Sequence, residues 1–155
     1  MMKTIVLNSR PEGKPTSSDF KCITEDIKLT LQEGEILLEA TYVSVDPYLR
    51  GRMSDAKSYI PPFELHRPIQ SGVVAKVIAS KNVVFEVGDF VSGMLDWKTK
   101  QVSIGAGLLK VDASKAPLST YLGILGMTGL TAYLGLNKIG KPKAGETLVV
   151  SGAAG

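Results

Sequence analysis

The residues best placed to do chemistry sit in a glycine-rich turn. Ser151-Gly152-Ala153-Ala154-Gly155 follows Thr147-Leu148-Val149-Val150, a short apolar and β-branched run. A strand running into such a turn feeds the N-terminus of a helix, where backbone N–H groups bind a dinucleotide phosphate. Gly152 and Gly155 matter through their size, because a Cβ would block the close approach of backbone to phosphate. The same five residues also read as a small-residue C-terminal tail. Two other reactive side chains stand alone. Cys22 lies in the alternating segment Phe20-Lys21-Cys22-Ile23-Thr24, which makes it a small packing residue rather than a nucleophile. His66 lies beside Pro68 in a polar loop, and no neighbouring Ser or Cys has the context of an activated nucleophile.

Counts narrow the field further. With one cysteine and one histidine in 155 residues, the chain can form no intrachain disulfide and cannot supply the N/S ligands of a zinc site. A net charge of +3 with scattered basic residues, and no aromatic interleaving around Lys138 to Lys143, argues against a nucleic-acid partner. No apolar stretch approaches the roughly 18 residues of a membrane span, and the apolar run after Met1-Met2-Lys3 is too short for a secretory signal, so the expected location is cytoplasmic.

The elements that must position these residues fall into two blocks. Up to about residue 118 the punctuation is that of an antiparallel β domain, with strands expected at Thr4 to Leu7, Phe20 to Asp26, Ile36 to Val45, Val73 to Ser80, Phe90 to Met94, Gln101 to Ile104 and Leu108 to Val111. Gly34 and Gly88 fall where tight connections need positive φ. Many short strands at this spacing favour a barrel or sandwich. Beyond Pro117 the character changes, and eight of the sixteen glycines lie between Tyr121 and Gly155. Leu130, Tyr133, Leu134 and Asn137 recur at helical spacing, with Gly140 and Pro142 marking the end. The helix leads to the expected buried strand Thr147 to Val150, which needs a crossover helix and a second parallel strand to complete a βαβ unit. The expected organisation is therefore one unit over 1–118 and the opening of a second over 119–155.

Four signatures in order carry a resemblance: Val45-Asp46-Pro47-Tyr48-Leu49-Arg50-Gly51-Arg52-Met53, then Gly88-Asp89-Phe90-Val91, then Gly126-Met127-Thr128-Gly129-Leu130-Thr131-Ala132-Tyr133, then Gly145-Glu146-Thr147 leading to the glycine turn. Together they resemble the zinc-independent medium-chain dehydrogenase/reductases. Within that superfamily the chain is most similar to the leukotriene B4 12-hydroxydehydrogenase, prostaglandin reductase and curcumin reductase group of NADP-dependent alkenal/one oxidoreductases. The resemblance implies a mainly β fold, a GroES-like, partly open β-barrel, followed by the first helix and strand of a truncated Rossmann domain, in a native protein roughly twice this length.

It also implies an activity. Hydride passes from NADPH to the β-carbon of an α,β-unsaturated ketone or aldehyde, and charge develops on the carbonyl oxygen. A fixed hydroxyl donor near that oxygen lowers the barrier. Tyr48 suits the role by resemblance, although its ring could equally pack at a strand end with Asp46 and Arg50 in local turn contacts. Met127 would pack against the nicotinamide and Thr131 offer it a hydroxyl. Alternatively, Met127 is core and Thr131 bonds a preceding helix carbonyl. The cofactor implied is NADP(H) with no metal; the partners implied are a small enone substrate and, at full length, a second copy in a homodimer. By itself the 155-residue chain is expected to be catalytically silent. Two alternatives stay open: a quinone reductase of the same superfamily, and a non-catalytic GroES-like binding module.

Overall fold

A computed structural model describes residues 1–26 and 30–152. Seven strands form two antiparallel sheets: β1 (Met2–Leu7), β2 (Phe20–Glu25), β3 (Ile36–Val43), β4 (Gln70–Ser80), β5 (Phe90–Asp96), β6 (Lys100–Ser103) and β7 (Leu109–Val111). β1 pairs with β2, and the larger sheet runs β6-β3-β4-β5-β7. All seven were legible as alternating or β-branched runs between turns. Gly34 and Gly88 take φ of +82° and +100°, as their tight turns demand.

Alternation along β4 builds the main core. Val73, Ala75 and Val77 face one way, joining Ile36 and Leu38 of β3, Val91 and Leu95 of β5, and Phe85 and Leu108 from the loops. A second core gathers Leu7, Leu49, Met53, Phe63 and Ile69. The two sheets are tied rather than merged. The Ile5 amide donates to the Trp97 carbonyl at 2.9 Å, and the Ile69 amide to the Ile5 carbonyl at 3.1 Å. No ladder closes the seven strands into a full barrel among the described residues, which leaves the mainly β reading intact and the barrel open.

After the sheet comes a 3₁₀ segment, Leu118–Leu122, and then helix α2 (Met127–Leu134), which continues in wider i→i+5 turns over Gly135–Gly140. The helix expected here is present, opening at Met127, and the helical run stops at Gly140, just ahead of Pro142, as expected. Lys141 takes the left-handed conformation, at φ 47°, and its amide caps the Leu136 carbonyl at 2.7 Å. Pro142 disfavours the right-handed helical region for Lys141, so the helix cannot continue through it.

Two expectations are corrected. Thr147 to Val150 forms no strand, and Leu148, Val149 and Val150 are exposed at 61%, 84% and 64%. The apolar pattern is right, but a buried strand requires sheet neighbours and covering helices, which the described residues do not provide. Cys22 does not pack inward; it is exposed on β2, where the hairpin presents most of that strand to solvent. Leu130, Tyr133, Leu134 and Asn137 lie on the helical run as expected, and neither α2 nor Gly135–Gly140 has a buried residue.

Candidate functional site

The turn after β3 is built by three hydrogen bonds on one residue. Ser44 donates its amide to the Gly72 carbonyl at 2.8 Å, accepts at its own carbonyl from the Ser71 hydroxyl at 2.7 Å, and donates its hydroxyl to Asp46 Oδ2 at 2.6 Å. Pro47 then sits at φ −55°, already in the helical range, and starts the short helix α1 (Tyr48–Arg52). Leu49 and Met53, four residues apart, bury one face of this helix in the second core. Tyr48 lies beside that face, half-buried, with its ring against the same cluster.

Arginines fix the surrounding loops. Arg50 donates to the carbonyls of Pro11 and Gly13 at 2.9 and 2.7 Å, and Arg10 to those of Met53 and Phe63 at 3.1 and 3.3 Å. Arg52 lies 4.0 Å above the Phe63 ring and donates to the Pro61 carbonyl. Asp46 and Arg50 thus do make backbone-level contacts, but Arg50 reaches 37 residues back in the chain rather than bonding locally. That clamp, and the Ser71 hydroxyl buried in an apolar strand, escaped sequence reasoning; a serine at the head of Gly72-Val73-Val74-Ala75 was the only signal of the latter.

The electrostatics favour a protonated phenol. Burial pushes the Tyr48 ionisation up, the Asp46 carboxylate pushes it further, and Arg52 opposes both; Tyr59 adds a small upward push. No hydrogen bond contributes to this shift. Tyr48 therefore presents a neutral O–H donor over a wide pH range, which is what stabilising a developing oxyanion requires.

The remaining site residues lie apart from Tyr48. Met127 opens α2 and is 76% exposed, so it is not core. Thr131 donates its hydroxyl to the Met127 carbonyl at 2.7 Å, leaving its lone pairs outward. Glycine at 126 and 129 has a steric cause: a Cβ on Gly129 would fall 1.7 Å from the Ile124 carbonyl oxygen, and one on Gly126 2.4 Å from that of Tyr121. The turn before α2 folds over the helix's first residues, and only hydrogen fits between. Gly152 has φ +61° and nothing within 4 Å of its would-be Cβ. Gly155 lies outside the described residues. No hydrogen bond among the described residues joins Met127 or Thr131 to Tyr48. His66 is exposed, at φ 62°, and its amide donates to the Leu7 carbonyl at 2.7 Å, a loop tie with no partner for base catalysis beside it.

Comparison with known proteins gives these features a family. Residues 3–111 match the family model for the N-terminal domain of oxidoreductase. The NADPH-dependent curcumin reductase of Escherichia coli is 45% identical over 150 residues, covering 97% of this chain and 43% of that protein. The 2-alkenal reductase (NADP(+)-dependent) of Nicotiana tabacum is 39% identical over 157 residues, covering 99% and 46%. The crystal structure of CurA from Vibrio vulnificus in complex with NADPH superimposes with a TM-score of 0.87 at 46% identity, over 99% of this chain and 45% of that one. The chain belongs to this oxidoreductase N-terminal domain family, within the NADP-dependent medium-chain dehydrogenase/reductase group. It spans less than half the length of the relatives it matches.

Proposed function

We propose that this chain forms the carbonyl-binding half of an NADPH-dependent reductase that saturates the C=C bond of α,β-unsaturated ketones and aldehydes. We further propose that the polypeptide divides near residue 118, with 1–118 holding the substrate side and 119–155 opening the nucleotide side. The observation that carries the reading is Tyr48, a half-buried phenol whose ionisation is pushed up by burial and by Asp46 and whose hydroxyl makes no hydrogen bond among the described residues. The relatives' printed activities, curcumin reductase and 2-alkenal reductase, support the substrate class.

Each residue has one task in this reading. Tyr48 donates its O–H to the carbonyl oxygen as that oxygen gains charge. Met127 packs along the nicotinamide edge, and Thr131 turns its outward lone pairs to that ring's polar groups. Gly152 and Gly155 let the backbone reach the pyrophosphate. NADPH, when bound, supplies the hydride for the β-carbon; a metal has no part in the reaction so written. Because the helix and strands that would complete the nucleotide side are not in the sequence, the 155-residue chain alone should not turn over.

The test is NADPH oxidation with 1-nonen-3-one and, in parallel, a quinone. The full-length protein should consume NADPH with the enone, and Tyr48→Phe should lower kcat by about 100-fold, the loss of roughly 3 kcal/mol expected for one oxyanion donor. Turnover by the 155-residue chain alone, preference for the quinone, or an unaffected Tyr48→Phe variant would each overturn its part of the proposal.

A further inference from the structure

We infer that Ser44 and Ser71 are positioning residues: with Trp97 they form a part-buried set of hydrogen bonds, a relay that fixes the Asp46 carboxylate and the turn into α1, and so set how Tyr48 is presented to the substrate carbonyl. This rests on the reading of Tyr48 as the oxyanion donor.

The direction of every bond in the relay is determined by the groups themselves. Indole N–H is a donor only, so Trp97 Nε1 must donate to Ser71 Oγ, at 2.8 Å. That leaves the Ser71 proton for the Ser44 carbonyl at 2.7 Å. A carboxylate only accepts, so the Ser44 hydroxyl donates to Asp46 at 2.6 Å. Ser71 is fully buried, within a strand otherwise apolar at its inward positions. A hydroxyl there costs free energy unless both its proton and a lone pair are used, and both are. An alanine or valine would serve packing alone; the serine serves a bond.

Both ends lie in the surroundings of Tyr48: Trp97 and the Tyr48 ring pack against the same core cluster, and Asp46 is the charged neighbour two residues before the phenol. The Trp97–Ser71–Ser44 carbonyl bonds polarise one another and pin the Ser44 backbone, from which the separate Ser44 hydroxyl reaches Asp46. Loss of the Ser44 hydroxyl frees the carboxylate to swing toward solvent, since the remaining bonds hold only the backbone. The ionisable groups acting on Tyr48 are Asp46, Arg52 and Tyr59, so the phenol's titration reports where Asp46 is.

The experiment uses ¹³C-labelled tyrosine in the 155-residue chain, following the ring Cζ resonance with pH, with Tyr48→Phe assigning the signal among the five tyrosines. Asp46→Asn should lower the Tyr48 titration midpoint, by about half a pH unit or more. Ser44→Ala should reproduce most of that shift, Ser44→Thr should restore the original midpoint, and Asp46→Asn combined with Ser44→Ala should go no further than Asp46→Asn alone. Ser71→Ala should also lower the midpoint and alter the emission of Trp97, the only tryptophan. If Ser71→Ala does not fold, the Ser44 variants decide. A Ser44→Ala midpoint equal to the original, alongside a shifted Asp46→Asn, overturns the relay. So does additivity of the two changes. An active full-length Tyr48→Phe variant would instead sink the oxyanion reading while leaving these titrations unaffected.

Discussion

Residues 1–111 and residues 123–152 carry similarly apolar sequence, yet only the first stretch buries it. In the sheet region Leu7, Ile36, Leu38, Val73 and Val91 are inaccessible, whereas Ile124, Leu130, Tyr133, Ile139 and Val149 are exposed. The difference teaches that apolar periodicity names an element's type and the face it would hide, while burial depends on a partner. The sheet strands find partners within residues 1–111. α2 does not. Relatives more than twice as long supply the natural candidate for its cover, and under our proposal that cover is the rest of the nucleotide side.

The contrast can be broken most decisively by truncating a core side chain. Leu38→Ala, at a fully buried position between β4 and β6, should cost about 2–5 kcal/mol in urea unfolding. Leu130→Ala should stay within about 0.5 kcal/mol. Equal effects from the two would mean that α2 is packed after all.

A second change should separate the regions without touching the core. Gly129→Ala places a methyl on the Ile124 carbonyl, so α2 should lose helical signal in far-UV circular dichroism while the urea midpoint of the sheet holds. A lowered midpoint would show that the two regions unfold together.

The smallest effect sharpens the comparison from the hairpin side. Asp19 accepts from the Thr16 amide and hydroxyl at 2.8 and 3.0 Å and from the Ser9 hydroxyl at 2.8 Å. The Thr16 amide, then the Ser9 hydroxyl, hold its carboxyl below the ordinary value against the opposing effect of burial. A lowered folded-state value means stability that is present above the unfolded value, near 3.9, and is lost as pH falls through that value to the folded one. Asp19→Asn should therefore reduce stability at neutral pH and flatten its decline below about pH 4. α2 signals should not follow that decline; if they do, the hairpin and helix are coupled.

Legibility in the sequence followed the range of the interactions. Every strand could be read because alternation, β-branching and turn glycines are local facts. Gly34 and Gly88 could be assigned their backbone geometry for the same reason. The stop of the helical run at Gly140 could be read from Gly140 and Pro142, again local facts. Thr147 to Val150 reads as a buried strand from its apolar, β-branched run and flanking turn residues, and that local pattern carries no information about whether neighbours are present. Cys22 failed similarly, since alternation shows that a strand has two faces without saying which is covered. At the candidate site, Tyr48 was found through its motif, but Arg10, Ser71 and Trp97 act across 26 to 53 residues of separation, and nothing in the local sequence ties them to it.

One small void carries weight beyond its size. At Gly72 a methyl would stand 3.3 Å from Leu122 Cδ2 and 3.6 Å from Ser44 Cβ, so this notch in β4 lets the 3₁₀ segment rest on the sheet beside the turn that leads to Tyr48. A methyl in that notch would press on Leu122 and on the Ser44 turn together, so the seating of the 3₁₀ segment on the sheet is tied to the absence of one carbon atom.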